Sequence, residues 1–384
     1  MYKFILNAYA YYKVMSEKVD IHPYVNGDEE GIVSLLETVF EGWPHFDLQC
    51  SPLDHWRWKY QDNPLKMKAV TIWKSNDRII GCSHGFYLKL KIGEKILLAE
   101  QGTDLAIHKD FRGMGIYKKM VNLKNETHRK FNTNIIYTIS GNPIVIRNDL
   151  KNNRPQFPSP IKHLIKIRDI DLHLRMKKSK NRLIKKYGYL IFKILNQINN
   201  ISTILDNYNG SKQNFEISEI EKFDKHIETF WNEIKDNYSF IVERNESYLN
   251  WRYCDKRGGD YVIKQVYESG TVIGYMVLRI NKYDKEYSEG YIVDVLTLPD
   301  RIDAAKALFL NADRFFAEQN VNIIHTLAIK GHPYERLFNR NNYLSDRRRY
   351  YLFYTPLNVG NELNDFTSAP RSRLHFMYGD LDWI

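Results

Sequence analysis

The chain has little cysteine and no long apolar run, and both absences limit what it can be. Its 384 residues include three cysteines, Cys50, Cys82 and Cys254, whose spacing fits neither a metal site nor a disulfide framework. No run of 18 apolar residues occurs, so the sequence predicts no transmembrane helix. The opening stretch MYKFILNAYAYYKVM is apolar, but Asn7 and Lys13 interrupt it and no cleavage site follows, so we do not interpret it as a signal peptide. We therefore expect reduced thiols and a cytoplasmic protein.

The excess of positive charge is confined to one segment. The formal net charge is +10, and residues 162–193 hold eleven Lys and Arg against two Asp, which is +9. The rest of the chain is nearly balanced, which argues against a nucleic-acid-binding face spread over the protein. Within 177–200, apolar residues recur at helical spacing opposite a basic face. We expect a helix that packs on the protein itself or makes weak contact with an anionic membrane surface.

Two stretches of the chain resemble each other, which indicates an internal duplication. DHWRWKYQDNP (54–64) corresponds to YLNWRYCDKRG (248–258). Each is followed by two strand-like runs that share an Ile-Gly pair, then by an acidic strand, a helix-like run, and IIYTISGNP or IIHTLAIKGHP. The offset between the copies is 195 at Trp56/Trp251 and 190 at Asp104/Asp294. The matches occur in the same order in both stretches, and the offset changes by only a few residues. This favours two copies of one unit.

The duplication predicts the domain organisation. We expect two α/β units over 20–155 and 215–355, a basic helical linker over 156–214, and a tail over 356–384. Residues 1–19 are an extension that forms a small docking helix or precedes a start at Met15. Turn-linked strands should pair antiparallel, and strands joined by a helical crossover should pair in parallel. Each unit would then be a mixed, mostly antiparallel sheet flanked by helices.

A stretch with two glycines, HKDFRGMGIY (108–117), joins the third strand of the first unit to a helix. The first N–H groups of a helix lack internal partners and lie at the positive end of its dipole. Gly113 and Gly115 carry no Cβ, so a bulky anion can approach, and Arg112 adds a cation. The pattern is neither a P-loop, which needs Gly-Lys-Ser/Thr, nor a dinucleotide fingerprint, which needs G-x-G-x-x-G. It predicts a phosphate or pyrophosphate site.

At this stretch the sequence resembles the GNAT superfamily of acyl-CoA-dependent N-acyltransferases. Their signature is Gln/Arg-x-x-Gly-x-Gly/Ala, and Arg112 and Gly115 match its first two positions. Tyr117 departs from the small third residue, and Lys109 stands where proline is common. The resemblance covers about 20–155 and implies that fold and activity for the first unit.

The second unit differs at the corresponding loop, which reads LTLPDRIDAAK. It has no glycine there, and Asp300 and Asp303 would repel a pyrophosphate. We therefore expect one cofactor site in a tandem protein whose second copy is degenerate.

The resemblance implies acetyl-CoA, or another short acyl-CoA, as co-substrate. Main-chain groups of the strand before the loop would pair with the pantetheine arm, loop N–H groups would hold the pyrophosphate, and a residue after the next strand would add a contact. By position, the strand residues are Leu105, Ala106 and Ile107, and the residue after the next strand is Asn142. The loop residues are Arg112, Gly113, Met114, Gly115, Ile116 and Tyr117. For Asn142 the alternative is a turn residue before Pro143.

Acyl transfer needs a neutral amine, a proton acceptor and a donor for the oxyanion. The resemblance implies that the N–H of Leu105 or a neighbour is the oxyanion donor and that the base lies on the same strand. The candidates for the base are Glu100, Gln101 and Asp104. Alternation predicts Glu100 and Asp104 on one face and Gln101 with Thr103 on the other. Gln101 lies nearest the usual position of the base, but an amide cannot accept a proton. Glu100 is therefore our candidate for the base, and the alternative for Glu100 is a structural role.

Other residues are candidates for proton transfer or for packing in the core. His84, His108 and His332 are available, although a lone histidine is usually structural. Tyr137 is expected in the core. The pairs Trp56-Arg57 and Trp251-Arg252 are expected to clamp helix to sheet.

The tail RLHFMYGDLDWI is rich in large apolar residues and should dock rather than fray. Docking would let Asp380, Asp382 and the terminal carboxylate line an acceptor pocket and attract a cationic amine. Deletion of the last six residues is then expected to abolish activity and to leave the fold intact.

The resemblance favours an N-acyltransferase that moves an acetyl or short acyl group to a primary amine of a small molecule by direct attack in a ternary complex. An amino sugar or sugar nucleotide of polysaccharide biosynthesis is the acceptor it suggests, with no metal and no nucleic acid involved. One alternative is an aminoacyl-tRNA-dependent transferase of the peptidoglycan-bridge type, which the basic segment favours and the glycine loop disfavours. The other is a non-catalytic, membrane-peripheral binding module.

Overall fold

The structure, a computed structural model, describes residues 19–44, 46–176, 215–281 and 287–382. The strands are β1 (Val19–Pro23), β2 (Thr71–Ser75), β3 (Arg78–Ile92), β4 (Lys95–Ile107), β5 (Ile135–Ser140), β6 (Ile161–Ile167), β7 (Phe215–Ile220), β8 (Phe240–Val242), β9 (Val262–Glu268), β10 (Thr271–Asn281), β11 (Glu289–Thr297), β12 (Ile323–Ile329) and β13 (Leu344–Pro356). The helices are α1 (Glu29–Phe40), α2 (Pro52–Tyr60), α3 (Ile116–Lys130), α4 (Pro143–Lys151), α5 (Ile170–Met176), α6 (His226–Ile234), α7 (Glu246–Leu249), α8 (Ile302–Glu318), α9 (Pro333–Arg340) and α10 (Glu362–Ser368). A π-helical turn, Asn250–Cys254, continues α7.

Within the described residues the strands form one sheet of 13 strands. Its order is β1-β2-β3-β4-β5-β13-β6-β12-β11-β10-β9-β7, with β8 paired to β3. The pairs β4·β5 and β11·β12 are parallel, and the other pairs are antiparallel. The expected mixed, mostly antiparallel sheet flanked by helices is thus confirmed.

The helices of the first half form where the sequence supplies caps and an apolar face. Helix α1 carries Glu29 and Glu30 in its first turn, where negative charge suits the helix dipole. Helix α2 starts with Pro52 after Ser51, whose side chain accepts a hydrogen bond from the Asp54 amide. The face of α1 that packs on the sheet is apolar and buried: Ile32, Val33, Leu35 and Leu36.

The two halves repeat one order of elements but exchange their last strands. The first runs β2-β3-β4-α3-β5-α4-β6, and the second runs β9-β10-β11-α8-β12-α9-β13. Strand β6 lies antiparallel to β12 of the other half, and β13 lies antiparallel to β5. Strands β6 and β13 also pair with each other at the centre. Each half therefore completes the sheet of the other.

The helical linker expected over 156–214 is wrong at its start, because Ile161–Ile167 form strand β6. Its sequence alternates, and the charges of Lys162 and Lys166 are paired with Glu335 and Asp313, at 2.5 and 2.7 Å. A basic segment can therefore lie inside a sheet while its apolar residues are buried. The helix expected over 177–200 and the extension up to residue 18 lie outside the described residues.

A pair of tryptophans joins the halves. Trp58 and Trp251 stack with ring centroids 4.9 Å apart. Each indole N–H donates to the main-chain oxygen of the other residue, at 2.9 and 3.1 Å. This reciprocity indicates that Trp58, rather than Trp56, corresponds to Trp251. The offset there is then 193, the same as between Gly81 and Gly274.

The two predicted Trp-Arg pairs have different contacts. The indole of Trp56 in α2 donates to His84 of β3, so this residue does join helix to sheet. Arg57 is partly exposed near Asp54, whereas Arg252 is buried. In the described part of the chain, no helix combines the length and the apolar character needed to cross a membrane.

Candidate active site

Strands β4 and β5 diverge next to the glycine loop. They pair in parallel only where 99–101 meet 135–137. Beyond that point β4 stays paired with β3 up to Ile107, while its other edge separates from β5. At the apex the strands are close, since a Cβ on Gly102 would come within 2.9 Å of Thr138. The predicted pantetheine-binding residues 105–107 lie on the open part of β4, where an extended ligand can reach the main chain.

A β-bulge lies in β4 at the mouth of this gap. The register passes from Cys82–Ala106 to His84–Thr103, so Asp104 and Leu105 together face one residue of β3. Asp104 has a φ of 36°, which is uncommon for a residue other than glycine. The bulge turns the main chain of Leu105 out of the regular ladder, at the position expected for the oxyanion donor.

The imidazole of His84 holds the bulge. Its Nε2 accepts from the Trp56 indole at 3.1 Å, so its proton is on Nδ1, which donates to the Asp104 carbonyl at 2.9 Å. Burial lowers the pKa of His84 to about 4, which keeps the ring neutral. His84 is therefore structural. His108 follows β4, and its Nδ1 lies 3.6 Å from the Asp110 carboxylate.

The expected grouping of Glu100 with Asp104 is wrong. Glu100 is fully buried on the α3 side of the sheet and accepts from Lys124 at 2.6 Å. Thr103 and Asp104 lie on the opposite side, where both contact the hydroxyl of Tyr60. The cause is the bulge, because one extra residue reverses the alternation of side chains along the strand.

Gln101 lies on the same side as Asp104. Its amide nitrogen donates to the main-chain oxygen of Asp380 at 3.1 Å, and its amide oxygen accepts from Tyr137 at 3.2 Å. Tyr137 is in the core, as expected. Gln101 thus positions the tail of the chain and has no capacity to accept a proton.

Three ionisable groups meet beside the bulge and are called here the carboxylate cluster: Lys59, Asp104 and Asp382. The Lys59 ammonium lies 2.7 Å from Asp104 and 3.1 Å from Asp382, and its side chain is 3% exposed. Trp43 and Tyr60 also donate to Asp104. Two carboxylates against one ammonium leave a net charge of −1 when all three are ionised.

The two carboxylates of the cluster differ in pKa. Burial alone would raise the pKa of Asp104, but the charges of Lys59 and the surrounding donors lower it to about 2. For Asp382, burial together with the nearby negative charge of Asp104 outweighs Lys59 and raises the pKa. Asp104 is therefore a weak base, and Asp382 is the stronger proton acceptor of the pair.

The tail is built into the core. Its side chains from Leu374 to Leu381 are buried. Arg252 donates to the main-chain oxygens of Gly379 and Leu381, both at 3.0 Å. Asp380 accepts from the buried Arg244 at 2.6 Å, which leaves it no role toward an acceptor. Trp383, Ile384 and the terminal carboxylate lie outside the described residues.

The glycine loop leads into α3 as an open helix N-terminus. Gly113 and Gly115 have φ angles of 84° and 72°, and a Cβ on either would meet no atom within 4 Å. Among the described residues, the main-chain N–H groups of Gly113, Gly115 and Tyr117 donate to no main-chain acceptor. Arg112 is exposed, and its Nε donates to the Ile107 oxygen at 3.0 Å. The loop fits a diphosphate, because its amides are free and a cation stands beside them.

The remaining predicted cofactor residues differ in how well they fit. Met114 is half-buried, and Tyr117 is 47% exposed, so its ring does not fill the helix start. Asn142 caps α4 by accepting from the Ile144 amide at 2.9 Å, which is the structural alternative considered for it. Ile116 begins α3.

In the second half, the corresponding loop contains an arginine that forms two ion pairs. Arg301 lies 3.1 Å from Asp303 and 2.6 Å from Glu268. Arg301 and Asp303 lie at the start of α8, where the first half has glycines. The described residues also include no group of three or more side chains placed to hold a metal ion.

Lys59, Trp43 and Tyr60 were not predicted from the sequence as site residues. The signal for Lys59 was its place in α2, because it lies between two large aromatic residues, Trp58 and Tyr60, that are both buried. A buried lysine needs a carboxylate partner, so a lysine at this position predicts an acidic side chain close to it.

Comparisons with known proteins agree with this geometry. Residues 20–141 match the family model described as acetyltransferase (GNAT) domain. No curated protein sequence matches the chain.

Solved structures share the fold of almost the whole chain. N-myristoyltransferase of Saccharomyces cerevisiae with bound myristoyl-CoA and inhibitors has a TM-score of 0.58 at 10% identity, over 93% of this chain and 86% of that chain. A second structure of that enzyme with bound myristoyl-CoA has a TM-score of 0.59 at 8% identity, over 88% and 79%. A conserved protein of unknown function from Enterococcus faecalis V583, described as a probable N-acyltransferase, has a TM-score of 0.57 at 10% identity, over 89% and 73%. Residues 20–141 thus match a GNAT acetyltransferase domain, and the chain as a whole shares the fold of these solved structures.

Proposed function

We propose that the protein transfers an acetyl or other short acyl group from acyl-CoA to the primary amine of a small molecule. The observation that carries this is the convergence on β4 of three features: an open helix N-terminus after it, a gap along its edge, and the carboxylate cluster at its bulge. The proposal includes the division of the chain into the units 20–155 and 215–355. The first unit would hold the acyl-CoA, and the tail 356–384 would supply the carboxylate that accepts a proton.

The donor would bind along the open edge of β4. Main-chain groups of 105–107 pair with the pantetheine arm as an added strand would. The diphosphate accepts from the amides of 113–117, and Arg112 contributes its charge. The thioester carbonyl then lies at the bulge, where the N–H of Leu105 stabilises the oxyanion.

The acceptor amine would approach from the side of the carboxylate cluster. The net negative charge of the cluster attracts the ammonium form. Asp382, whose pKa is raised, accepts a proton from that ammonium, and the neutral nitrogen attacks the carbonyl carbon. As the carbon–sulfur bond breaks, the nitrogen loses its second proton to the departing thiolate, so the products are the amide and the free thiol of coenzyme A. Asp104 stays ionised and holds Lys59 in place, while Glu100 remains paired with Lys124.

The acceptor that we would test first is an amino sugar or a sugar-nucleotide amine in the cytoplasm. The acyl chain is the second variable, because the yeast structures of the same fold contain myristoyl-CoA. A thiol-release assay should therefore cross acetyl-, hexanoyl- and myristoyl-CoA with a panel of amines. We expect acetyl-CoA to raise the thermal unfolding midpoint and to support turnover with at least one amine.

Two results would contradict the proposal. Turnover with myristoyl-CoA alone would show that the acyl group is long. No stabilisation by any acyl-CoA, together with salt-sensitive binding of aminoacyl-tRNA, would show that the donor is a nucleic acid.

A further inference from the structure

The second half contains a cavity at the position that corresponds to the gap beside β4. Strands β11 and β12 pair only where 289–291 meet 323–325, and then diverge as β4 and β5 do. At the ends of the two strands lies a cavity of about 350 Å³. Its lining includes side chains from the strand ends, the start of α8, the segment before β8 and the tail: Tyr238, Thr297, Ile302, His332, Tyr334 and Arg373. This volume suits a small molecule but not a whole acyl-CoA.

His332 contributes a buried hydrogen-bond donor without a partner. It caps α9, because its Nδ1 accepts from the Tyr334 amide at 3.1 Å. The proton of the neutral ring is therefore on Nε2, and burial lowers the pKa of His332 to about 3, so the ring stays neutral. His332 is 6% exposed, and its Nε2 is buried and has no hydrogen-bond partner among the described residues. An unsatisfied buried donor is costly and unusual.

Arg373 contributes a second donor of the same kind. Its Nη2 donates to the Asp236 main-chain oxygen at 3.0 Å and lies 3.8 Å from Glu94, but its buried Nε has no partner among the described residues. Asp236 itself lies 3.7 Å from the Lys91 ammonium. Both unpartnered atoms are donors, and one belongs to a cation, so the chemistry that satisfies them is an anionic oxygen acceptor.

We propose that this cavity binds a small carboxylic acid with an apolar body. The carboxylate accepts from Nε2 of His332 and Nε of Arg373, and the apolar body packs against Ile302 and the ring of Tyr238. The site lies in the half without the glycine loop and is independent of the proposed acyl transfer. It does not depend on any residue of the carboxylate cluster.

The duplication supplies a substitution that separates binding from folding. His332 stands at the position of Asn142 in the first half, and both side chains accept from the amide two residues later. His332→Asn therefore keeps a cap acceptor for α9 and removes the Nε2–H donor. Arg373→Met removes the second donor. Arg371→Met is the matched control, since Arg371 lies in the same short turn and is not among the lining residues.

The test measures binding of hexanoate to the full chain by isothermal titration and saturation-transfer NMR, with hexanamide as a neutral analogue of the same shape. We expect saturable binding of hexanoate, weaker by about tenfold or more for His332→Asn and for Arg373→Met, and unchanged for Arg371→Met. Thermal unfolding of each variant shows whether it is folded.

Three outcomes would overturn the proposal. The first is no saturable binding of hexanoate to the unaltered protein. The second is binding that survives both substitutions in folded variants, because the ligand would then occupy another place, such as the glycine loop. The third is hexanamide binding as tightly as hexanoate, which would remove the role of the negative charge. None of these measurements uses acyl-CoA or acyl transfer. The binding test therefore remains valid even if the proposed function is wrong.

Discussion

At the scale of single residues, the carboxylate cluster assigns different roles to two aspartates that share one lysine. Asp104 is held ionised by Lys59 and by the donors around it, and Asp382 is left with the raised pKa. A carboxylate fixed in this way is a structural anion, while its neighbour keeps the capacity to take up a proton. The division arises from the difference in surroundings, since the two side chains are chemically identical.

Asp382→Asn should lower kcat by about 10²- to 10⁴-fold, the usual contribution of a general base. In the unaltered enzyme, activity should fall as the pH drops through the raised pKa of Asp382, because the protonated form cannot accept a proton. The variant should lose that acidic limb and keep its KM for acyl-CoA. Asp365→Asn, on the exposed face of α10, is the control. An unchanged pH profile in the Asp382 variant would assign the base elsewhere.

Lys59→Met should destabilise the fold by about 3–5 kcal/mol at neutral pH, because it leaves buried carboxylates without their cation. The pKa of Asp104 is about 2 in the folded protein and ordinarily 3.8. Its stabilising effect is therefore complete above pH 4 and is lost as the pH falls through 2. In the variant the carboxylates protonate more readily, so its deficit should shrink in mildly acidic buffer.

Urea unfolding at two pH values measures this deficit, with Lys222→Met as an exposed control. A loss below 1 kcal/mol at neutral pH would show that water already screens the cluster. The same reasoning changes the expectation for removal of the last six residues. That deletion takes away Asp380 and Asp382, leaves Arg244 with Asp294 alone and Lys59 with Asp104 alone, and should destabilise the fold as well as abolish activity.

At the scale of secondary-structure elements, the glycine loop and α3 act as one unit. The amides are useful only because the two glycines keep the helix start uncovered. A side chain there would meet no protein atom, so the present protein does not need the glycines for packing. It needs them for the backbone conformation and, in our proposal, for the approach of a ligand.

Gly115→Ala should raise the KM for acyl-CoA by about tenfold or more with a small loss of stability. Gly270→Ala is a matched control: Gly270 has a φ of 80°, against 72° for Gly115, and a Cβ there also meets nothing within 4 Å. Both variants carry the same strain of about 1 kcal/mol, and only the first should weaken acyl-CoA. Equal kinetics in the two variants would show that the loop does not touch the donor.

The sequence predicted local features better than long-range ones. The loop, the order of elements in each half and the parallel and antiparallel pairs followed from turn chemistry and periodicity, which are local properties. Strand β6 was not predicted because Lys162 and Lys166 made the segment look like part of a basic linker. Their partners Glu335 and Asp313 are far away in the chain, so the sequence did not show that the charges are paired. The grouping of Glu100 with Asp104 was wrong because a single bulge, which the sequence does not reveal, reverses the alternation of side chains at Asp104.

At the scale of the whole molecule, the exchanged strands make the halves interdependent. The last strand of residues 1–176 is β6, and its neighbours β12 and β13 lie in the second half. Expressed alone, 1–176 and 215–384 should each fail to unfold cooperatively, because each lacks the strand that completes its sheet. Expressed together, they should copurify and regain acyl transfer. Size-exclusion chromatography and thermal unfolding measure both points, and a cooperative, monomeric 1–176 would contradict the interdependence.

The exchange also sets when this protein can begin to work during its synthesis. The first half leaves the ribosome with β5 missing the neighbour that 344–356 will later provide. The lysine of the cluster meets its second carboxylate only when residue 382 has been made. A nascent chain therefore exposes an unpaired strand edge until residues 344–382 have been made, and a chain stopped before them would be a substrate for chaperones and proteases.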